Sequence, residues 1–260
     1  MSRAAFVVAL RLRLLMTLLT ALGMTLVILM VGALFPAVGD SIGKLDLPEG
    51  VAELLGGADY GTIAGWMRSE IGAVYGPLVV AATAISGAVG STAGEEEDGI
   101  LALTLAYPIG RGRLLLAKAA AVAVAVAIVA LGTFAGLVAG VAVAGGGIGV
   151  GDMAALSLHL AFFGWAVGAV ALALAAATGR RAVASAGAAA FAVLGFLING
   201  FAPLVDGIEW LKYLSPFHYY EGHDPIGHGV FAGDLVVLGA AAAVLTALAI
   251  ARFAGRDLRK

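Results

Sequence analysis

The sequence predicts an all-α membrane protein with a single transmembrane domain over residues 1–260. Hydrophobic residues make up 62% of the chain and charged residues 12%, whereas soluble domains carry about 25% charged residues. The mean hydropathy is +1.03. The chain also contains six apolar runs, most of them near the ~20 residues that an α-helix needs to cross a bilayer core. These observations exclude a soluble globular domain.

The first span is predicted at residues 14–35, which are all uncharged. The residues before it, up to Arg13, mix arginines with apolar residues and predict an N-terminal interfacial helix. A cleaved signal peptide is the alternative, but its apolar region would be only ~7 to 15 residues long. The other spans are predicted at residues 71–93, 114–144, 156–178, 182–204 and 235–251.

The connections between the spans differ in charge and in aromatic content. A short helix is predicted over residues 47–55 in the first polar loop. Twelve of the fifteen basic residues fall on the side of the two termini and of the loop near residue 110. By the positive-inside rule, this predicts that both termini are cytoplasmic and that the protein lies in the cell membrane.

The densest cluster of charge follows the second span. In order along the chain it contains Glu95, Glu96, Glu97, Asp98, Gly99, the apolar Leu101, Leu103 and Leu105, then Pro108 and Arg111. Acidic residues are favoured at the N-terminus of a helix and basic residues beyond its C-terminus, and proline stops a helix. We therefore predict a short amphipathic helix at about 95–107 on the membrane surface. A solvated loop is the alternative, but it has no need of the apolar patch.

This segment resembles the stretch after the second membrane helix of type-2 ATP-binding-cassette (ABC) permeases. Residues 96–101 read Glu-Glu-Asp-Gly-Ile-Leu and residues 105–111 read Leu-Ala-Tyr-Pro-Ile-Gly-Arg, followed by Lys118. The sequence departs from the family pattern at Ile100, where threonine is usual, and at Gly110, which separates Pro-Ile from the basic residue.

The resemblance implies that residues 95–107 form a coupling helix that docks on a separate ABC ATPase subunit. Glu95, Glu96 and Glu97 would face basic residues of that subunit, and Leu101, Leu103 and Leu105 would fill an apolar groove. It also implies short extracytoplasmic helices in the aromatic stretch between spans five and six, and a second permease copy that completes a homodimer around a substrate path. The expected function is export of an apolar or amphipathic substrate, with ATP and Mg bound by the ATPase and no cofactor in this chain.

Other features of the sequence bear on the competing functions. No G-x-x-x-x-G-K-[ST] motif occurs, and the predicted spans hold almost no ionisable residue with which a proton- or sodium-coupled carrier could hold its ion. We therefore expect a transport subunit and not an enzyme, with no nucleic-acid partner. A stand-alone channel or carrier and a non-transporting membrane scaffold remain the alternatives.

Two residue patterns in the apolar and aromatic regions have structural or metal-binding interpretations. Gly132, Gly136 and Gly140 form a Gly-x-x-x-Gly face that predicts close helix packing, with Gly164 and Gly168 as a second candidate. His218, His223, Asp224 and His228 suggest metal ligands. Their spacing matches no common zinc pattern, so we predict interfacial packing and no metal site.

Overall fold

The computed structural model describes residues 3–42 and 61–256. The structure is 87% helical, and the part of the chain that it describes contains no strand. Within those two ranges, six helical runs are long and apolar enough to cross a membrane. The predicted all-α membrane fold is therefore confirmed. The short helix predicted over residues 47–55 lies outside the described residues.

The first span is α1 (Arg3–Ile42), a continuous α-helix of 40 residues. At a rise of 1.5 Å per residue it is about 60 Å long, roughly twice the thickness of a bilayer core. The predicted interfacial segment before residue 14 is therefore the first part of this helix and not a separate element.

The second span is built from alternating α-helical and π-helical segments. It consists of α2 (Ile63–Met67), a π-helix (Arg68–Tyr75), α3 (Gly76–Val89), a second π-helix (Gly90–Gly94) and α4 (Glu95–Glu97). The hydroxyl of Thr62 caps the start of α2 by accepting a hydrogen bond from Gly65 N at 3.1 Å. This span extends beyond the predicted residues 71–93 at both ends.

The remaining helices follow in chain order. They are α5 (Ile100–Leu105), α6 (Arg111–Val143), α7 (Val150–Thr178), α8 (Arg181–Phe201), α9 (Pro216–Glu221), α10 (Pro225–His228) and α11 (Ala232–Ala254). Two 3₁₀ segments, Ala202–Leu204 and Glu209–Leu214, precede α9. Short helices therefore connect the last two spans, as the family resemblance implies.

The central helix of the bundle is α7, which packs against α3, α6, α8 and α11. Leu156, Leu160 and Phe163 of α7 are buried in the larger of two hydrophobic clusters. A second cluster includes Leu101, Leu172 and Phe253. Since Leu101 belongs to α5, the second cluster anchors that short helix to the spans.

Helices α1 and α6 approach each other at the glycine face of α6. A Cβ atom added at Gly132 would lie 2.6 Å from the carbonyl oxygen of Ala21, and one at Gly140 would lie 2.7 Å from that of Ile28. A Cβ at Gly136 would also lie only 3.0 Å from Ile28 Cβ. The hydroxyl of Thr25 donates a hydrogen bond to Gly132 O at 2.8 Å. The absent side chains thus allow backbone-to-backbone packing, which supplies the van der Waals contact that holds helices together in lipid.

Candidate functional site

One end of the bundle carries the acidic residues 95–98 and most of the described basic residues, and we call it the basic end. It comprises the first turns of α1, the segment 95–111, the start of α6, the turn between α7 and α8, and the last turn of α11. Ion pairs and a shared hydrophobic cluster hold these parts together although they are far apart in sequence.

The helix predicted over 95–107 is divided in two by Gly99. This residue has a φ of 74°, a left-handed conformation that glycine adopts without steric cost. The acidic residues therefore continue the second span as α4, and α5 begins only at Ile100. The prediction that they occupy the N-terminal turn of a single surface helix is wrong. At the C-terminal end of a helix the dipole disfavours acidic side chains, so they require nearby cations.

The first cation is Lys118 of α6, which is buried. Its Nζ lies 2.7 Å from Glu95 Oε2 and also donates to the carbonyl oxygen of Ser91 at 2.6 Å. Ser91 belongs to the π-helix that leads into α4. Lys118 therefore fastens the end of the second span to the start of the third.

A second ion pair joins Glu96 to Arg256, just after α11. The side chain of Glu96 is 2% exposed and that of Arg256 is 12% exposed, so little solvent screens this pair. Arg111 Nη1 donates to the carbonyl oxygen of Arg256 at 2.6 Å. The last span is thereby linked to both ends of the segment 95–111.

Arg181, the first residue of α8, binds the remaining two acidic residues. Its Nη2 donates to Asp98 Oδ2 at 2.8 Å, and its backbone N–H donates to Glu97 Oε1 at 2.9 Å. Asp98 and Arg181 are about half exposed, with side-chain values of 54% and 50%. Three of the four predicted acidic site residues thus pair with cations of their own chain, and Glu97 accepts from a backbone N–H. Local sequence pattern does not reveal these contacts. Only the Asp-Gly dipeptide at 98–99 signalled the break in the helix.

Helix α5 has one inward and one outward face. Leu101 is 1% exposed and lies in the second hydrophobic cluster, whereas Leu103 is 73% exposed. Ile100 is exposed as well and lies on the same side of the helix as Leu103, and Tyr107 is exposed just after the helix ends. We call Ile100, Leu103 and Tyr107 the outer face of α5. Leu101 was predicted to face a partner but is buried in this chain, and Leu105 is partly buried.

The family model for the C-terminal domain of the multidrug efflux system permease Rv1217c matches residues 3–254. The chain belongs to this family. This permease family agrees with the resemblance of residues 96–118 to type-2 ABC permeases, and it makes the chain a membrane-embedded transport subunit and not an enzyme. A search of curated proteins gave no match.

The opposite end of the permease holds the histidines considered as metal ligands. Among residues 3–42 and 61–256, no three His, Cys, Asp or Glu side chains are grouped so that they could hold a metal ion. His223 Nδ1 lies 2.7 Å from Asp234 Oδ2, and its ring stacks on Phe231 with a centroid distance of 4.1 Å. Asp224 instead pairs with Arg68 at 3.1 Å. These contacts pack the loop 215–231 onto the second and last spans.

Proposed function

We propose that this permease is the membrane-spanning subunit of an ATP-driven ABC exporter and that α5 docks on a separate ATPase subunit. ATP and Mg would be bound by that ATPase. Two copies of the permease would form a homodimer that moves apolar or amphipathic substrates out of the cell. The observation that carries the proposal is the outer face of α5, an apolar surface presented at the basic end.

Exposed apolar side chains at the basic end need a covering partner. Leu103 and Ile100 are large exposed side chains on a helix of only six residues, and the exposed Tyr107 follows two residues after the helix ends. A short helix with apolar anchors at i and i+3 is suited to a groove in a soluble protein. Leu101 packs the other face of α5 into the second hydrophobic cluster. The helix is therefore held against the spans while its outer face stays free to bind a partner.

The ion pairs of the basic end give a path by which a push on α5 reaches the spans. The segment 95–111 is bound to α6 by Lys118, to α8 by Arg181 and to the end of α11 by Arg256. A displacement of this segment is therefore shared with three spans through direct contacts. This arrangement supports a coupling role.

The placement of charge in the permease supports an external energy source. In the described part of the chain, the buried Asp, Glu, Lys and Arg residues are Glu96, Lys118, Glu221 and Asp234. Each lies near an end of its helix and none lies near the middle of a span. Ion-coupled carriers commonly hold their ions with polar groups near the bilayer midplane. We infer that ATP hydrolysis by the partner supplies the energy.

The docking role is tested by Leu103→Asp, with Ala102→Asp as the matched control. Ala102 is exposed on the same short helix but lies away from the outer face. Loss of a central apolar anchor typically weakens an interface by 2 kcal/mol or more, roughly 30-fold in affinity. We expect Leu103→Asp to lose the ATPase on purification and to lose substrate-stimulated ATP hydrolysis, whereas Ala102→Asp retains both. Equal ATPase recovery by the two variants would remove α5 as the docking site.

The side of the membrane on which α5 lies can be tested by cysteine labelling, because the chain has no cysteine of its own. Asp98→Cys introduces one thiol at the exposed edge of the basic end. We expect a membrane-impermeant maleimide to label it only after the membrane is permeabilised. Labelling of intact cells would place α5 on the outer surface and contradict the proposed function.

A further inference from the structure

An apolar cavity of 440 Å³ lies between α6, α7 and α11, with one contact from α3. Its lining residues are Ala88 of α3 and residues within 116–123 of α6, 164–172 of α7 and 242–250 of α11. With a rise of 1.5 Å per residue, all of them lie within about 20 Å of the basic end. Leu116 and Ala243 are exposed, so the cavity opens on the outer surface of the bundle in the half next to α5.

The walls of the cavity select against charge. Among the described residues that line it, none is charged, and Thr246 alone carries a hydroxyl group. The indole N–H of Trp165 donates to the carbonyl oxygen of Ala123 at 3.0 Å, so Trp165 offers a ligand its ring and not a donor. An ion placed here would lose its hydration without gaining a partner. The chemistry therefore fits a neutral, apolar ligand.

The size of the cavity fits a small molecule. Its volume of 440 Å³ lies within the roughly 300–1,000 Å³ that is typical of sites for drug-sized ligands. The ring of Trp165 is supported by Phe162 at a centroid distance of 4.6 Å, which gives the apolar walls one large flat surface. Small side chains such as Ala243 and Ala247 of α11 face this space and leave it open.

The two sides of the cavity differ in how they are held. On one side, α7 is packed tightly against α3, because a Cβ at Gly168 would lie 3.2 Å from Ala84 Cβ. On the other side, α11 is joined at its end to α4 by the pair of Arg256 and Glu96. We therefore expect a displacement of α4 to reach the α11 wall through this ion pair.

We propose that this cavity is a binding site within one subunit for neutral, apolar, drug-sized molecules that enter from the lipid near the basic end. The inference rests on the proposed function, because an exporter must bind the molecule that it moves. The name of the family, a multidrug efflux permease, favours a small molecule over a lipid acyl chain as the occupant. A shift of α4 passes through Arg256 to α11 and changes the width of the site.

The test measures binding of N-phenyl-1-naphthylamine, a neutral dye that fluoresces in apolar surroundings, to the purified permease in nanodiscs. Ala243→Phe and Ala247→Phe each fill the cavity. Ala241→Phe is the matched control, because Ala241 is exposed on the opposite side of α11 and does not line the cavity. Empty nanodiscs give the background from partition into lipid. Unfolding in sodium dodecyl sulfate checks that each variant is folded.

We expect about tenfold or weaker binding in both cavity variants, since misfit of even a methylene group in an apolar pocket changes selectivity about 10- to 200-fold. The control should bind like the original protein, and the anionic dye 8-anilino-1-naphthalenesulfonate should bind poorly to all forms. Equal dye affinity in the cavity variants and the control would overturn the proposal. Native mass spectrometry that finds a phospholipid retained by the original protein and lost in Ala243→Phe would overturn the choice of occupant.

The binding measurement needs no ATPase. Failure of α5 to hold the ATPase would therefore leave the dye result intact, and loss of the proposed cavity site would leave docking intact. The two proposals can be rejected separately.

Discussion

The pair of Glu96 and Arg256 allows the energetic role of the basic end to be measured. Glu96→Gln would leave the guanidinium group of Arg256 without its counter-charge in surroundings where its side chain is 12% exposed. Arg256 Nε is also buried without a hydrogen-bond partner in the described part of the chain. Removing one partner of a buried ion pair costs about 3–5 kcal/mol. We expect Glu96→Gln to lower the free energy of unfolding by that amount.

Asp98→Asn is the matched comparison, because the pair of Asp98 and Arg181 is about half exposed. Exposed pairs contribute about 0.2–1 kcal/mol, so this variant should lose less than about 1 kcal/mol. The double variant Glu96→Gln with Arg256→Met should recover much of the loss, since it removes both buried charges.

The assay is unfolding of the purified permease in mixed micelles with increasing sodium dodecyl sulfate, followed by circular dichroism. If Glu96→Gln loses no more free energy than Asp98→Asn, burial does not govern the strength of these pairs. Our account of the basic end as a set of tightly coupled helices would then be refuted.

Two further predictions concern packing and pH. Gly132→Ala places a methyl group against the carbonyl oxygen of Ala21, and we expect a loss of about 1–3 kcal/mol in the same unfolding assay. Gly23→Ala has open space around it and should change little. Burial, reinforced by the positive charge of Lys212, lowers the pKa of His218. The unfolded chain then binds the proton more readily, so stability should fall as pH drops through about 6.5, and His218→Gln should reduce this dependence.

The arrangement of the spans could be predicted from the sequence because hydrophobic length alone defines a membrane helix. The ends of the second span could not. The prediction places the ends of this span next to charged residues, yet the helical run begins before Arg68 and continues through Glu95. Arg68 is neutralised by Asp224 and Glu95 by Lys118, and these partners are 156 and 23 positions away in the chain. No local pattern contains that information.

The segment 95–111 shows the same limit on a smaller scale. The order of charges favoured one helix with acidic residues at its N-terminus, but the left-handed Gly99 separates them from α5. The apolar patch was recognised, whereas the direction of each side chain depends on the second hydrophobic cluster. This cluster buries Leu101 and leaves Leu103 outside. Helical periodicity describes relative directions on one helix but does not say which face meets the rest of the protein.

The pairing of Glu96 with Arg256 has a consequence for biogenesis. The two residues are 160 positions apart, and Arg256 follows the last span. Glu96 therefore leaves the ribosome well before its counter-ion does, and it must stay hydrated until the sixth helix has been inserted. Assembly of this region is consequently a late event in synthesis, and chains released before the final helix would expose an uncompensated carboxylate to quality-control proteases.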